Sequence, residues 1–281
     1  MAEIRLENVS YVYSEGTPYE ISALDDINVC IKSGSVTGII GHTGSGKSTL
    51  VQMLNGLVKP SAGKVLLDGE DIWEKPKEIG KIRAKVGLVM QYPEYQLFEE
   101  TIRADIAFGP KNMGIDEKEI GERVLEAADF VGLAHDLLDK SPFDLSGGQK
   151  RRAAIAGIIA MRPEVLVLDE PAAGLDPSGR EMIMKSIMGY KARTGATIVI
   201  VSHSMEDMAK YCDELIVLSS GKLLMSGKKE EVFGRSEELT SVGLDVPQIT
   251  KMMNLLTKMG IPVSDSVYTV DDALNEIYKL L

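Results

Sequence analysis

The sequence predicts an α/β protein: a largely parallel sheet, a helical block inserted into it, and a helical appendage at its end. Three observations predict this. Short β-rich runs alternate with helical patterns through residues 1–90 and again from 165 to about 225. Between them, from Gln91 to residue 164, the pattern turns mostly helical. Beyond about residue 236, two stretches carry apolar residues along one helical face.

The elements follow in order. Ile4 to Tyr13 alternates apolar and polar residues, as a half-buried strand does. Residues 27–31 read as a second strand, and 36–40 as a short β-rich run ending in Gly41. A glycine-rich loop and a helix over 47–57 come next, then strands at 65–67, before the Asp68-Gly69 turn, and at 86–90. Helices are expected near 101–107, 116–131 and 148–161. Strands return at 165–168, 197–201 and 214–218, separated by helices near 177–193 and 205–212. In the tail, Ile249, Met252, Met253, Leu256 and Met259 share one helical face. Val270, Ala273, Leu274, Ile277 and Leu281 share another, after Thr269 as N-cap. The expected division is an α/β core over 1–90 and 165–235, a helical subdomain over 91–164, and an extension over 236–281. There is no internal repeat and no low-complexity tract.

Composition bounds the function. The 281 residues include 31 Lys+Arg and 42 Asp+Glu, a net charge of −11, with 44% hydrophobic and 26% charged residues. That excludes a disordered or collagen-like chain. The acid surplus argues against broad nucleic-acid binding, which uses basic patches to neutralise phosphates. Cys30 and Cys212 lack the CxxC or Cys/His spacing of a metal site and are expected to be buried free thiols. No run reaches the ~18–20 apolar residues of a membrane helix. The opening MAEIRLENVSYVY lacks the basic-then-apolar pattern of a signal peptide. A cytosolic, reduced protein is expected, with any membrane role supplied by a partner.

The chemistry is carried first by Gly41-His42-Thr43-Gly44-Ser45-Gly46-Lys47-Ser48, which fits G-x-x-x-x-G-K-[ST] between a strand and a helix. Glycines let the backbone curl so that N–H groups point inward at phosphates, and the helix N-terminus adds partial positive charge. Lys47 should reach the β- and γ-phosphates, Ser48 should ligate Mg²⁺, and Thr49 joins the nucleotide-binding set. Such a loop needs an acid at the end of another buried strand. Val165-Leu166-Val167-Leu168-Asp169-Glu170 supplies it, with Asp169 on Mg²⁺ and Glu170 as general base for the attacking water. An apolar run ending in Asp-Glu is, taken alone, more often a plain strand end; the phosphate loop changes its meaning.

Leu145-Ser146-Gly147-Gly148-Gln149 resembles the signature motif of ATP-binding cassette (ABC) ATPases. Gln91 resembles that family's Q-loop glutamine, Gly174-Leu175-Asp176 its D-loop, and His203 its switch histidine. Tyr13 stands where the family's adenine-stacking aromatic usually stands, with Tyr11 as the alternative. Ala172 departs from the family, which often has Thr there. The resemblance covers about residues 1–230. It implies a P-loop NTPase cassette with a RecA-like core, ATP and Mg²⁺ as ligands, and Gln91 reaching the metal. It also implies two cassettes packed head to tail, the signature of one closing over ATP held by the other.

Gln91-Tyr92-Pro93-Glu94-Tyr95-Gln96-Leu97-Phe98 is similar to the Q-loop stretch of energy-coupling factor transporter ATPases. Residues 105–112, Gln149-Lys150-Arg151-Arg152 and the helical tail continue the likeness, closest to the second (A′) ATPase of the pair. This family imports vitamins or transition-metal ions. The resemblance implies a paralogous ATPase or a second copy as partner, a transmembrane T component with coupling helices, an S component reached indirectly, and the cytoplasmic face of the cell membrane. The 91–164 block carries nine basic and 14 acidic residues, and Glu94, Glu99, Glu100 and Asp105 are its candidate receivers of T-component arginines. The competing readings are the ATPase of another ABC transporter, or a non-transport ABC protein of translation or repair. The latter tend to carry two cassettes or long coiled coils, which this chain lacks.

Overall fold

The computed structural model describes residues 2–264 and 266–280. Leu281, placed above on the last apolar stripe, lies outside the described residues. Two sheets form the frame. The first is antiparallel, in the order β2 (Ile21–Ile31), β1 (Ile4–Tyr13), β4 (Ala62–Leu67), β5 (Glu70–Asp71). The second runs β10 (Lys222–Lys228), β9 (Glu214–Ser219), β3 (Val36–Gly41), β8 (Thr197–Val201), β7 (Val165–Asp169), β6 (Val86–Val89). All its neighbours are parallel except the β10–β9 edge pair.

Every residue of β3, β7 and β8 is buried. This is why these strands read as continuous apolar runs: both faces of a parallel sheet are covered. One face, through Val165, Val167, Val199 and Val201, joins a core with Ile4, Leu6 and Ile27 of the antiparallel sheet and Leu50 of α1 (Lys47–Leu54). The other face, through Leu166, Leu168, Ile198 and Ile200, joins a core with the helical insertion. That insertion comprises α3 (Ile102–Asn112), α4 (Glu117–Phe130) and α5 (Gly147–Ile159), after a short α2 (Ile79–Lys85) that leads into β6. Helices α6 (Pro177–Thr194) and α7 (Met205–Tyr211) return the chain to β8 and β9.

Some boundaries differ from the sequence reading. Helix α1 stops at Leu54, not residue 57, because Gly56 takes a left-handed conformation that ends the helix. Helix α3 runs through Gly109-Pro110 to Asn112 rather than ending at 107. Tertiary packing outweighs that local punctuation: Gly109 lies so close to Met161 that a Cβ there would sit 2.7 Å from its Cγ. Cys212 is buried and Cys30 half-buried, both free.

The tail is anchored more deeply than an appendage would be. Helices α8 (Lys229–Phe233) and α9 (Ser236–Ser241) place Phe233, Leu239, Leu244 and Val246 in the main core, together with Tyr268. Helices α10 (Gln248–Lys258) and α11 (Val270–Tyr278) close a small core of Met253, Val263, Val267 and Ala273, with Ile249 and Leu256 against it. Thr269 caps α11, accepting from the Asp272 amide at 3.2 Å. The expected stripes are only half used: Met252, Met259, Val270 and Leu274 remain exposed.

Candidate nucleotide site

Parallel register puts the carboxyl ends of β3, β6, β7 and β8 at one edge of the sheet, where ligands of open α/β folds bind. The phosphate loop leaves β3, the Asp169-Glu170 pair ends β7, and His203 follows β8. Gly46 is the N-cap of α1, with φ +100°. A Cβ there would meet the Ala23 carbonyl oxygen at 2.6 Å, so glycine is required on both counts. The first helical bond runs from Leu50 N–H to the Gly46 carbonyl at 2.9 Å. The amides of Lys47, Ser48 and Thr49 therefore have no intrahelical acceptor and can face an anion.

Lys47 is buried, and its ammonium donates to the carbonyls of Gly41 at 2.7 Å and His42 at 3.0 Å. Burial lowers its pKa, opposed by Glu170 and Asp169 nearby. His42 receives the Ser220 amide on Nε2 at 3.2 Å and places Nδ1 2.9 Å from the Thr43 carbonyl oxygen, an arrangement in which Nδ1 is the donor. Tyr13 lies at the mouth, 40% exposed, its hydroxyl 3.0 Å from Thr49 Oγ1. Tyr11 packs edge-on against it and is less exposed, which favours Tyr13 for stacking.

Asp169 is buried, which raises its pKa, while a hydrogen bond from the Ser48 hydroxyl and the Lys47 charge oppose the rise. A hydroxyl and a carboxylate side by side form a hard oxygen donor set, and they fit Mg²⁺. Among the described residues no group of three acidic, His or Cys side chains could hold a metal alone. That suits an ion that keeps water and phosphate as its other ligands.

Glu170 has φ +53°, a strained value for a non-glycine residue. Burial, then the neighbouring Asp169 charge, pushes its pKa up to about 7. The Lys47 charge and the nearby His203 backbone amide oppose that rise. Burial and Lys47 lower the His203 pKa, so its imidazole is neutral near pH 7.

Three predicted site groups stand apart. Gln91 is exposed and makes no hydrogen bond among the described residues. Ser146 caps α5 in a complete capping box: its Oγ accepts from Gln149 N at 3.4 Å and its own amide donates to Gln149 Oε1 at 2.8 Å. Ser146 and Gly147 face solvent, a Cβ on Gly147 or Gly148 would meet open space, and no hydrogen bond among the described residues links them to the phosphate loop. Asp176 caps α6, accepting from Gly179 N at 3.0 Å, and is likewise exposed.

The acidic candidates of the insertion are reduced. Glu94 is not free to receive an outside arginine, because Arg151 of α5 already holds both its oxygens. Asp105 is buried and turned inward, accepting the amides of Phe98 at 3.1 Å and Glu99 at 3.3 Å. Glu99 and Glu100 remain. The Glu94–Arg151 pair was invisible in the sequence because its members lie 57 residues apart.

A family profile described as ABC transporter matches residues 24–173. The energy-coupling factor transporter ATP-binding protein EcfA2 of Caldanaerobacter subterraneus subsp. tengcongensis is 53% identical over 278 residues, covering 99% of this chain and 97% of its own length. That of Clostridium tetani is 51% identical over 278 residues, covering 99% and 96%. Among solved structures, cbiO1 from Clostridium perfringens, described as part of the ABC transporter complex cbiONQ, aligns with a TM-score of 0.75 and 42% identity over 89% of this chain and 98% of its own. The cassette MJ0796, as a dimer in a post-hydrolysis state bound to ADP and Pi, aligns with a TM-score of 0.73 and 30% identity over 80% and 98%.

Proposed function

This chain belongs to the ABC transporter ATPases, among the ATP-binding proteins of energy-coupling factor transporters, and from that footing we propose how its residues drive transport. ATP hydrolysis coupled to transport is its activity. No described helix is long and apolar enough to cross a membrane. The phosphate loop and the α1 amides hold the triphosphate. Tyr13 stacks the adenine. Ser48 and Asp169, with Gln91 approaching on closure, hold Mg²⁺, which when bound neutralises phosphate charge. Glu170 takes a proton from the attacking water, and His203 senses the γ-phosphate beside it.

One observation carries the assembly: the signature is fully built, yet no hydrogen bond among the described residues joins it to its own phosphate loop. A helix start with an exposed serine and two glycines open to close approach is made for a phosphate that another cassette delivers. Two cassettes therefore sandwich ATP, each loop facing the partner's signature, with Asp176 at the seam. The relatives' names support a paralogue as that partner. A groove of about 1110 Å³ opens between α2–β6 and α3–α5, lined by Leu57, Leu88, Met90, Phe98, Phe108 and Met113. It suits a coupling helix of the T component, with Glu99 and Glu100 nearby to receive its arginines.

Ser146→Arg tests the sandwich. In the complex isolated from membranes, ATP binding to the altered chain should persist while hydrolysis at the site its signature completes is lost. Unchanged hydrolysis would remove the signature from the chemistry.

A further inference from the structure

Arg151 is only 3% exposed. A buried guanidinium needs its donors satisfied, and two segments satisfy this one. Its Nε donates to Glu94 Oε2 at 3.0 Å and its Nη2 to Glu94 Oε1 at 2.6 Å, the two-pronged geometry that suits arginine. Its Nη1 donates to the Ala173 carbonyl oxygen. Its Cζ lies 5.9 Å from the centre of the Tyr92 ring.

These contacts join parts with different duties. Arg151 stands on α5, just past the signature that the helix begins with. Glu94 lies in the short 3-10 turn Pro93–Gln96, which follows Gln91, and Gln96 and Leu97 already line the groove. Ala173 lies in the turn that presents the general base: its amide donates to the Glu170 carbonyl at 3.1 Å. The same segment then runs through Gly174 and Leu175 to Asp176 at the seam between cassettes.

We propose that Arg151 is a positioning residue for ATP hydrolysis, clamping Glu94 and the Ala173 carbonyl so that a partner seated in the groove sets the placement of Glu170. A displacement of the Pro93–Gln96 turn cannot leave Ala173 behind without stranding a buried carboxylate or a carbonyl. The docking side and the turn that presents the base are thus tied together through the signature helix. Lysine cannot replace arginine here, because a single ammonium cannot grip a carboxylate with two prongs and reach a carbonyl on its other side.

The proposal rests on Glu170 as general base, and the test separates the two. Arg151→Lys and Glu94→Gln are introduced into the complex isolated from membranes, beside Glu170→Gln, and ATP affinity, KM and kcat are measured for each. The expected result for Arg151→Lys and Glu94→Gln is a kcat lowered at least tenfold with KM and ATP affinity within twofold of wild type. Combining the two should cost little beyond either alone, since both break one clamp. Wild-type kcat in either variant overturns the proposal. So does a fall in ATP affinity of more than tenfold, which marks a general packing role. Wild-type hydrolysis by Glu170→Gln would instead overturn the reading of the base, whatever Arg151 does.

Discussion

His203 Nε2 lies 3.5 Å from Glu170 Oε1, and that oxygen is buried without a hydrogen bond among the described residues. A buried carboxylate oxygen left unpaired is costly, so the position is held by its surroundings rather than chosen by the side chain. Substituting Glu170→Gln should keep ATP bound and lower hydrolysis by orders of magnitude, with closed cassette pairs accumulating. Turnover assays and sizing in the presence of ATP check this. Hydrolysis at the wild-type rate would end the general-base assignment.

The same burial predicts a pH profile. Glu170 works as a base only when ionised, and its pKa stands at about 7 in the nucleotide-free protein. kcat/KM, which reports free enzyme, should therefore rise about tenfold per pH unit below 7 and level off above it. A flat profile between pH 5.5 and 7 would contradict the assignment.

Stability should run the other way. Glu170 has its pKa raised from 4.5 to about 7, so the folded state holds the proton more tightly than the unfolded chain. Its contribution is fully present below about pH 4.5 and is lost as pH rises through about 7. At pH 8, Glu170→Gln should be more stable than wild type by roughly 2–3 kcal/mol, and at pH 4.5 nearly equal to it. Thermal unfolding of the nucleotide-free chain at both pH values reads the difference.

Docking acidity can be dissected by charge reversal. Glu99→Lys with Glu100→Lys should weaken assembly with the membrane subunits while leaving ATP affinity unchanged. Co-purification yield beside nucleotide titration gives both numbers. Unaltered assembly would remove these two carboxylates from the interface.

The tail offers a packing test. The Tyr268 ring centre lies 5.8 Å from that of Phe233, and its hydroxyl donates to the Glu230 carbonyl oxygen at 3.1 Å. Tyr268→Ala should cost about 3 kcal/mol, the usual penalty for losing a buried aromatic. Denaturant melting measures it. Truncation after residue 235 should cost more, because Leu239, Leu244 and Val246 leave the main core with it.

The sequence revealed what local chemistry dictates. The phosphate loop, the Asp169-Glu170 strand end and the Ser146 cap each announce themselves within a few residues, and the buried parallel strands do so through unbroken apolar runs. What it hid was long-range partnership. Whether Glu94 meets an outside arginine or Arg151 depends on how the loop after β6 packs on α5, which no spacing encodes. The tail shows the same limit. Periodicity put Met252 and Met253 on one face, yet Met253 is buried and Met252 is 45% exposed. Which edge of an apolar stripe turns inward is decided by its neighbours.

The phosphate loop is also stitched from outside. Gly221, in the β9–β10 turn, donates to the Ser45 carbonyl at 3.2 Å and accepts from the Asp25 amide at 2.8 Å, while Ser220 holds His42. The loop is thereby sewn to strands of both sheets before any nucleotide arrives. ATP meets a mould already cast, so little of its binding energy goes into shaping that half of the site. The work of each cycle then falls on the parts outside this stitching, the helical layer with its signature and the loop after β6 that Arg151 joins to it. The molecule divides into an anvil and a hammer, and the groove between α2–β6 and α3–α5 is cut into the hammer.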